Sequence, residues 1–243
     1  NGTTQYFSRA DNASLSITGD LSIEAWIYLN SLSLTYQTIA AKWEQTGNRL
    51  SYNFVIKNTG ELVFITSSDG ANQLERISTN AFLTTKKWYH VAVVYNSTAG
   101  TATFYKNGYA LTDNGVALHT SIFDGTASLG IGAQDFDSFG SDWQLNGSIR
   151  NVAIFNDQRI AAEILIDATN PMADNSGNAN NVSQWLMTDA STVTALDDLN
   201  ANANDLSLVG GTTTNYGTHS RTQQAFISKN LIADGGMEQG GIG

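Results

Sequence analysis

The densest run of chemically capable side chains is Asp135-Phe136-Asp137-Ser138-Phe139-Gly140-Ser141-Asp142-Trp143. It interleaves three carboxylates with three aromatic rings, between apolar segments that begin at Leu129 and Leu145. Sugars need flat rings for their C–H faces and fixed acceptors for their hydroxyls. Asp135, Asp137, Phe139, Asp142 and Trp143 are therefore the candidate carbohydrate contacts. A solvated acidic loop whose aromatics cap the core fits the same residues. A competing neighbourhood, Tyr36 and Trp43, has the rings but only Glu44 as a nearby acid. A second pattern occurs twice. Asp174-Asn175-Ser176-Gly177-Asn178-Ala179-Asn180-Asn181 is echoed by Asp198-Leu199-Asn200-Ala201-Asn202-Ala203-Asn204-Asp205. Such runs turn tightly and can present several oxygens to a hard cation, or simply turn.

Catalysis finds little support in these residues. A retaining glycosidase needs two carboxylates about 5–5.5 Å apart. The only glutamates are Glu24, Glu44, Glu61, Glu75, Glu163 and Glu238. Glu24 stands alone on its segment, and neither Glu61 nor Glu75 has a carboxylate at i+2. Of three histidines, His90 sits inside an apolar run as a packing residue, and His119 and His219 sit in loops. None has a motif-level nucleophile beside it. The absence of cysteine removes disulfides, zinc–thiolate sites and thiol nucleophiles.

These groups must be positioned by strands. Ile23, Ala25, Ile27 and Leu29 alternate with Glu24, Trp26 and Tyr28, the period of a strand with two unlike faces. Residues 51–56 and 61–66 flank Lys57-Asn58-Thr59-Gly60, and residues 88–95 and 101–106 flank Asn96-Ser97-Thr98-Ala99-Gly100; both read as hairpins. Residues 127–132, 147–155, 182–187 and 205–209 add further strands. One helix-like stretch, residues 157–167, carries Ile160, Ile164 and Leu165 as a short apolar stripe. Strands at this spacing predict an all-β, antiparallel β-sandwich.

Composition bounds the partners. The 243 residues carry 12 Lys+Arg against 22 Asp+Glu, a net charge of −10. Without a basic cluster, nucleic acid is not an expected partner, because its binding rests on phosphate neutralisation. No apolar stretch approaches the ~20 residues of a membrane helix, so membrane insertion is not expected either. Ten Phe, nine Tyr and five Trp supply a core, while 24 Asn and 22 Gly take the place of charge. A cysteine-free, acidic, Asn-rich chain fits a surface protein that folds without redox help.

Ordered motifs resemble the laminin G-like, concanavalin A-like jelly-roll family. They are Tyr6-Phe7-Ser8, Leu21-Ser22-Ile23-Glu24-Ala25-Trp26-Ile27, Thr38-Ile39-Ala40-Ala41-Lys42-Trp43, Trp88-Tyr89-His90-Val91, Phe104-Tyr105-Lys106-Asn107-Gly108, Leu129-Gly130-Ile131-Gly132 and Leu145-Asn146-Gly147-Ser148-Ile149. Gln184-Trp185-Leu186 followed by the Asp198 turn resembles that family's later unit. The resemblance implies a concanavalin A-like jelly roll over residues 1–210. It also implies a structural Ca²⁺ at Asp198, Asn202, Asn204 and Asp205, although Ala201 stands where the family prefers Gly. The family's Ile-Asp-Glu-Val strand is here Ile149-Arg150-Asn151-Val152, without its carboxylates. The glucanases' E-x-D-x-x-E string is missing, so the chain is expected not to be an enzyme. Asn230 to Glu238 resembles the first strand of a carbohydrate-binding jelly roll; residues 211–229 would then connect to a following module at 230–243.

The expected function is a non-catalytic carbohydrate-binding or adhesion module of a larger secreted, cell-surface or virion protein. Its partners would be glycans or cell-surface polysaccharide, and other copies or modules of the parent. A structural spacer or decoration domain is the alternative. Trp26 and Trp88 are expected to pack, and Trp43 is open to either role.

Overall fold

A computed structural model describes residues 5–134, 143–187 and 195–210. Two antiparallel sheets stack face to face. The larger contains β1 (Tyr6–Arg9), β3 (Tyr36–Glu44), β4 (Arg49–Lys57), β5 (Leu62–Ser67), β6 (Gln73–Ile77), β10 (Leu129–Ile131), β13 (Ala195–Leu196) and β14 (Leu206–Val209). Its order is β13-β14-β1-β10-β3-β4-β5-β6. The smaller, β12-β11-β2-β7-β8-β9, holds β2 (Leu21–Leu29), β7 (Trp88–Asn96), β8 (Thr101–Lys106), β9 (Tyr109–Ala110), β11 (Gly147–Phe155) and β12 (Asn181–Trp185). This is the jelly-roll sandwich of the concanavalin A-like fold. Residues 211–229 and 230–243 lie outside the described residues.

The core forms where alternation predicts it. Ile23, Ala25, Ile27 and Leu29 face Phe54, Ile56, Leu62 and Phe64 across the sandwich, all of them buried. The outward residues of β2 are buried too: Glu24 and Trp26 are 2% and 1% exposed. Both hairpins form as expected. In the first, Gly60 takes φ +88, and a Cβ there would lie 2.5 Å from the Leu83 carbonyl oxygen. Asn107 and Gly108, with φ +51 and +85, make the β8–β9 turn. A Cβ on Gly108 would meet Leu165 Cδ1 at 2.7 Å, so the glycine lets the helix approach the sheet.

That helix, α1 (Ala161–Thr169), starts later than the expected stretch at 157–167. Residues before it are held extended against β2: Ser22 Oγ donates to the Asp157 carbonyl, and Arg159 N–H donates to Ser22 Oγ. The buried face is consequently Ile164, Asp167 and Ala168, while Ile160 points outward at 63% exposure. At nine residues it is far too short to cross a membrane.

Candidate functional site

Cross-strand register builds the outward face of the larger sheet. Ala41 pairs with Asn53, Asn53 with Ile65, and Ile65 with Glu75, a row running across β3, β4, β5 and β6. Beside it Val55 pairs with Val63, and Val63 with Ile77. Ala41, Trp43, Leu50, Val55, Val63 and Ile65 form a second small apolar cluster here, separate from the main core. Tyr36 and Trp143 pack onto it, both half-buried. Their rings stack at 4.6 Å between centroids and 24° between planes.

Trp143, from one of the two aromatic neighbourhoods that compete in the sequence, thus meets Tyr36 from the other. Tyr36 Oη donates to Glu75 Oε2 at 3.2 Å. Burial raises the Tyr36 pKa, with the Glu75 carboxylate adding to the effect, so the phenol stays protonated as a donor. Glu75 is the residue that sequence reasoning misses. It lies on edge strand β6, whose Gln73-Leu74-Glu75-Arg76-Ile77 lacks a clean apolar alternation. Below, Asn53 Nδ2 donates to Gln134 Oε1 at 3.3 Å, while the buried Asn53 Oδ1 has no hydrogen-bond partner among the described residues. Trp43 is 3% exposed and belongs to the floor rather than the surface. Of the predicted carbohydrate contacts, Trp143 is placed on this face. Asp135, Asp137, Phe139 and Asp142 lie outside the described residues.

The Asp198 turn has a different character. Asp198 Oδ1 accepts from the backbone N–H of Gln184 and of Asn200, and Oδ2 accepts from that of Asn204. Asp205 Oδ1 in turn accepts from Asp198 N–H. The amide side chains use their nitrogens: Asn202 Nδ2 donates to the Val182 carbonyl, and Asn204 Nδ2 donates to Ser14 Oγ and Ser183 Oγ. Asn204 Oδ1 is buried without a partner among the described residues, and Trp185 Nε1 donates to the Asn204 carbonyl. Ca²⁺ takes six to eight oxygens. As placed, this set does not fit it. Of the side-chain oxygens of these four residues, both of Asp198 and Oδ1 of Asp205 face N–H groups, which leaves Asp205 Oδ2 and the amide oxygens of Asn202 and Asn204, fewer than Ca²⁺ takes. Among the described residues no three His, Cys, Asp or Glu side chains converge on a metal-sized space. A ligand that bound only the folded chain would raise its melting temperature. Thermal unfolding in EDTA and in millimolar Ca²⁺ should therefore coincide within about 1 °C; a Ca²⁺-dependent rise of several degrees would restore a metal site.

A third cluster lies beneath α1. Glu24, alone in sequence, meets two partners in space, Arg159 and His90. Arg159 Nε donates to Glu24 Oε1 at 3.1 Å, and Arg159 Nη2 pairs with Asp167 Oδ2. His90 Nε2 lies 3.2 Å from Glu24 Oε2. All four residues are at most 5% exposed. Burial raises the Asp167 pKa, Glu24 raises it further, and Arg159 opposes them. The guanidinium also lies over the Phe155 ring, 4.3 Å from its centroid. No substrate could reach these groups; they bind the helix to the sheet.

Asn151 replaces one of the missing carboxylates with an internal role. It takes φ +46 at a bulge in β11, its Nδ2 donates to the Pro171 and Ala173 carbonyls, and its Oδ1 accepts from Gln184 Nε2.

Fold and register together define a concanavalin A-like sandwich. The chain belongs to the concanavalin A-like lectin/glucanases superfamily, whose laminin G type 3 model matches residues 1–165. No curated protein matches the chain. Among solved structures it is similar to a protein of Bacteroides ovatus described as a candidate carbohydrate-binding protein. That match has a TM-score of 0.65 and 17% identity, and covers 88% of this chain and 58% of the other. The chain therefore spans a little over half the length of that relative. It is also similar to the sialidase CBM40 of Ruminococcus gnavus bound to α2,3-sialyllactose, with a TM-score of 0.53, 14% identity, and coverage of 68% and 93% respectively. At these identities the likeness shows the fold.

Proposed function

We propose that the chain is a non-catalytic carbohydrate-binding module, part of a larger secreted, cell-surface or virion protein, and that it seats a sugar ring on the Tyr36–Trp143 face. The observation that carries this reading is the stacked, half-buried ring pair with a carboxylate beside it. Trp143 offers an indole to the C–H face of a pyranose, and Glu75 offers acceptors to its hydroxyls. Glu75 Oε2 is already oriented by the Tyr36 hydroxyl, which leaves Oε1 for a ligand. The descriptions of the two structural neighbours point the same way, for those proteins. Non-catalytic binding fits the burial of the Glu24–His90 cluster, which is sealed under α1.

Aromatic contacts contribute about 0.5–1.5 kcal/mol each beyond area burial. One such platform gives micromolar or weaker affinity, and repeated copies on a parent would raise it by avidity. A glycan array run with and without Ca²⁺ tests the reading. The wild-type chain should retain a defined set of glycans in both conditions, and Trp143→Ala should lose them. The same variant forfeits the Tyr36 stack, so its melting temperature should fall by roughly 2–6 °C while the fold persists. An array with no retained glycan leaves a spacer or decoration domain as the better reading.

A further inference from the structure

The loop after β9 carries Asn114-Gly115, the one Asn-Gly pair among the described residues in which both members are exposed. An asparagine followed by glycine can cyclise on its own backbone. The glycine nitrogen attacks the side-chain amide, and with no Cβ beside it that nitrogen is open to approach. Gly115 takes φ +70, and a Cβ built on it would meet nothing within 4 Å.

The surrounding contacts arrange each part of that reaction. Gly115 N–H, the nucleophile, donates to Asp113 Oδ1 at 2.8 Å, so a carboxylate already holds the proton that must leave. Asn114 Oδ1, on the carbon to be attacked, accepts from Ile77 N–H at 3.2 Å and Val116 N–H at 3.3 Å. Two such donors stabilise the negative charge that gathers on this oxygen during attack. The bond to Val116 also folds the side chain forward along the chain, toward the Gly115 nitrogen. Arg76 pins both ends of the turn: Nη2 lies 2.7 Å from Asp113 Oδ1, and Nη1 donates to the Val116 carbonyl at 2.7 Å. The other two Asn-Gly pairs among the described residues are arranged against reaction. Asn107 sends Oδ1 back to His90 N–H, and Gly108 is buried against Leu165. Asn146 ties Nδ2, the leaving group, to Ser31 Oγ, and Gly147 pairs with Leu29 inside the sheet.

We propose that Asn114 is a self-modification site: the folded chain promotes its conversion, through a cyclic imide with Gly115, to aspartate and isoaspartate. Asp113 takes the proton from the Gly115 nitrogen, and that nitrogen bonds to Asn114 Cγ. The Cγ–Nδ2 bond then breaks, and Nδ2 leaves as ammonia carrying the proton. Water opens the imide at either carbonyl, which gives the two acids with no oxidation or reduction. The consequence falls on edge strand β6. Asn114 N–H donates to the Ile77 carbonyl at 2.9 Å, while its side chain accepts from Ile77 N–H. Isoaspartate lengthens the main chain by a methylene and adds a carboxylate beside Asp113. The pairing with Ile77 is then lost, and the end of β6 is left open to another strand. The site is independent of the Tyr36–Trp143 reading.

The test incubates the folded chain in mildly alkaline buffer and follows each Asn-Gly pair by peptide mass mapping, with isoaspartate detected by its methyltransferase. Asn114 should convert roughly tenfold faster than Asn107 and Asn146. The same chain unfolded in urea should bring the three rates together, Asn114 slowing while the other two speed up. Asp113→Ser keeps an acceptor for Gly115 N–H without a carboxylate's basicity, and it should slow Asn114 by roughly tenfold or more. In the converted chain the Ile77 amide should exchange with solvent faster than before. The proposal is overturned if folded Asn114 converts no faster than Asn107 and Asn146, or if unfolding in urea speeds it up. It is equally overturned if Asp113→Ser folds and converts at the wild-type rate. Unchanged protection of Ile77 after conversion would overturn the role given to Asn114 at the β6 edge.

Discussion

Replacing Arg159 with methionine is expected to destabilise the sandwich by about 3–5 kcal/mol at pH 7, because it leaves Glu24 and Asp167 buried without their cation. For a domain of this size that corresponds to a fall in melting temperature of roughly 6–20 °C. The loss should depend on pH. The Asp167 pKa is raised by burial and by Glu24, with Arg159 opposing. A carboxyl whose folded pKa lies above its unfolded value contributes stability that is fully present below the unfolded pKa, and this is lost as pH rises through the folded one. Removing Arg159 pushes the folded pKa further up and widens that window. The gap between variant and wild type should therefore be largest near neutrality and shrink toward pH 4, in urea unfolding at each pH. A constant gap would mean that Arg159 acts by packing on Phe155 rather than by charge.

The second large effect is expected at Asp198. Its carboxylate accepts three backbone N–H groups, two of them from the fully buried residues Gln184 and Asn204. Asp198→Ala strands those donors, each costing about 1–3 kcal/mol when water cannot replace the acceptor. With Asn200 able to find water, the total should be about 2–5 kcal/mol. Asp198→Asn keeps one carbonyl oxygen and should lose less than half as much. The damage should localise to β12 and β14, which the turn joins to Ser14 and Ser183 through Asn204. Hydrogen exchange of Gln184 and Asn204 amides measures it directly: both should exchange faster in Asp198→Ala, and unchanged protection would refute the assignment.

Much of the fold is written in short-range pattern. The alternation of Ile23, Ala25, Ile27 and Leu29 identifies β2, and the turns at Lys57–Gly60 and Asn96–Gly100 identify two hairpins, because period and positive-φ preference are local properties. The sites are written less plainly. Trp143 and Tyr36 each stand out by residue type, yet they stack across a long separation in sequence that no local pattern links. Glu75 hides on a polar edge strand, where burial on one face no longer enforces alternation. Glu24 looks solitary since Arg159 lies 135 residues away. The Asp198 run shows its oxygens in sequence but not which way they point. Direction is what separates a cation cage from a hydrogen-bonded turn, and composition holds no record of it.

The central claim is that the Tyr36–Trp143 face holds a sugar. A crystal structure of the chain with a glycan selected from the array tests it most directly. The account predicts a pyranose ring parallel to the Trp143 indole, at stacking distance, with a hydroxyl donating to Glu75. A glycan bound with high occupancy on a surface that includes neither Trp143 nor Glu75, and none on this face, would contradict it.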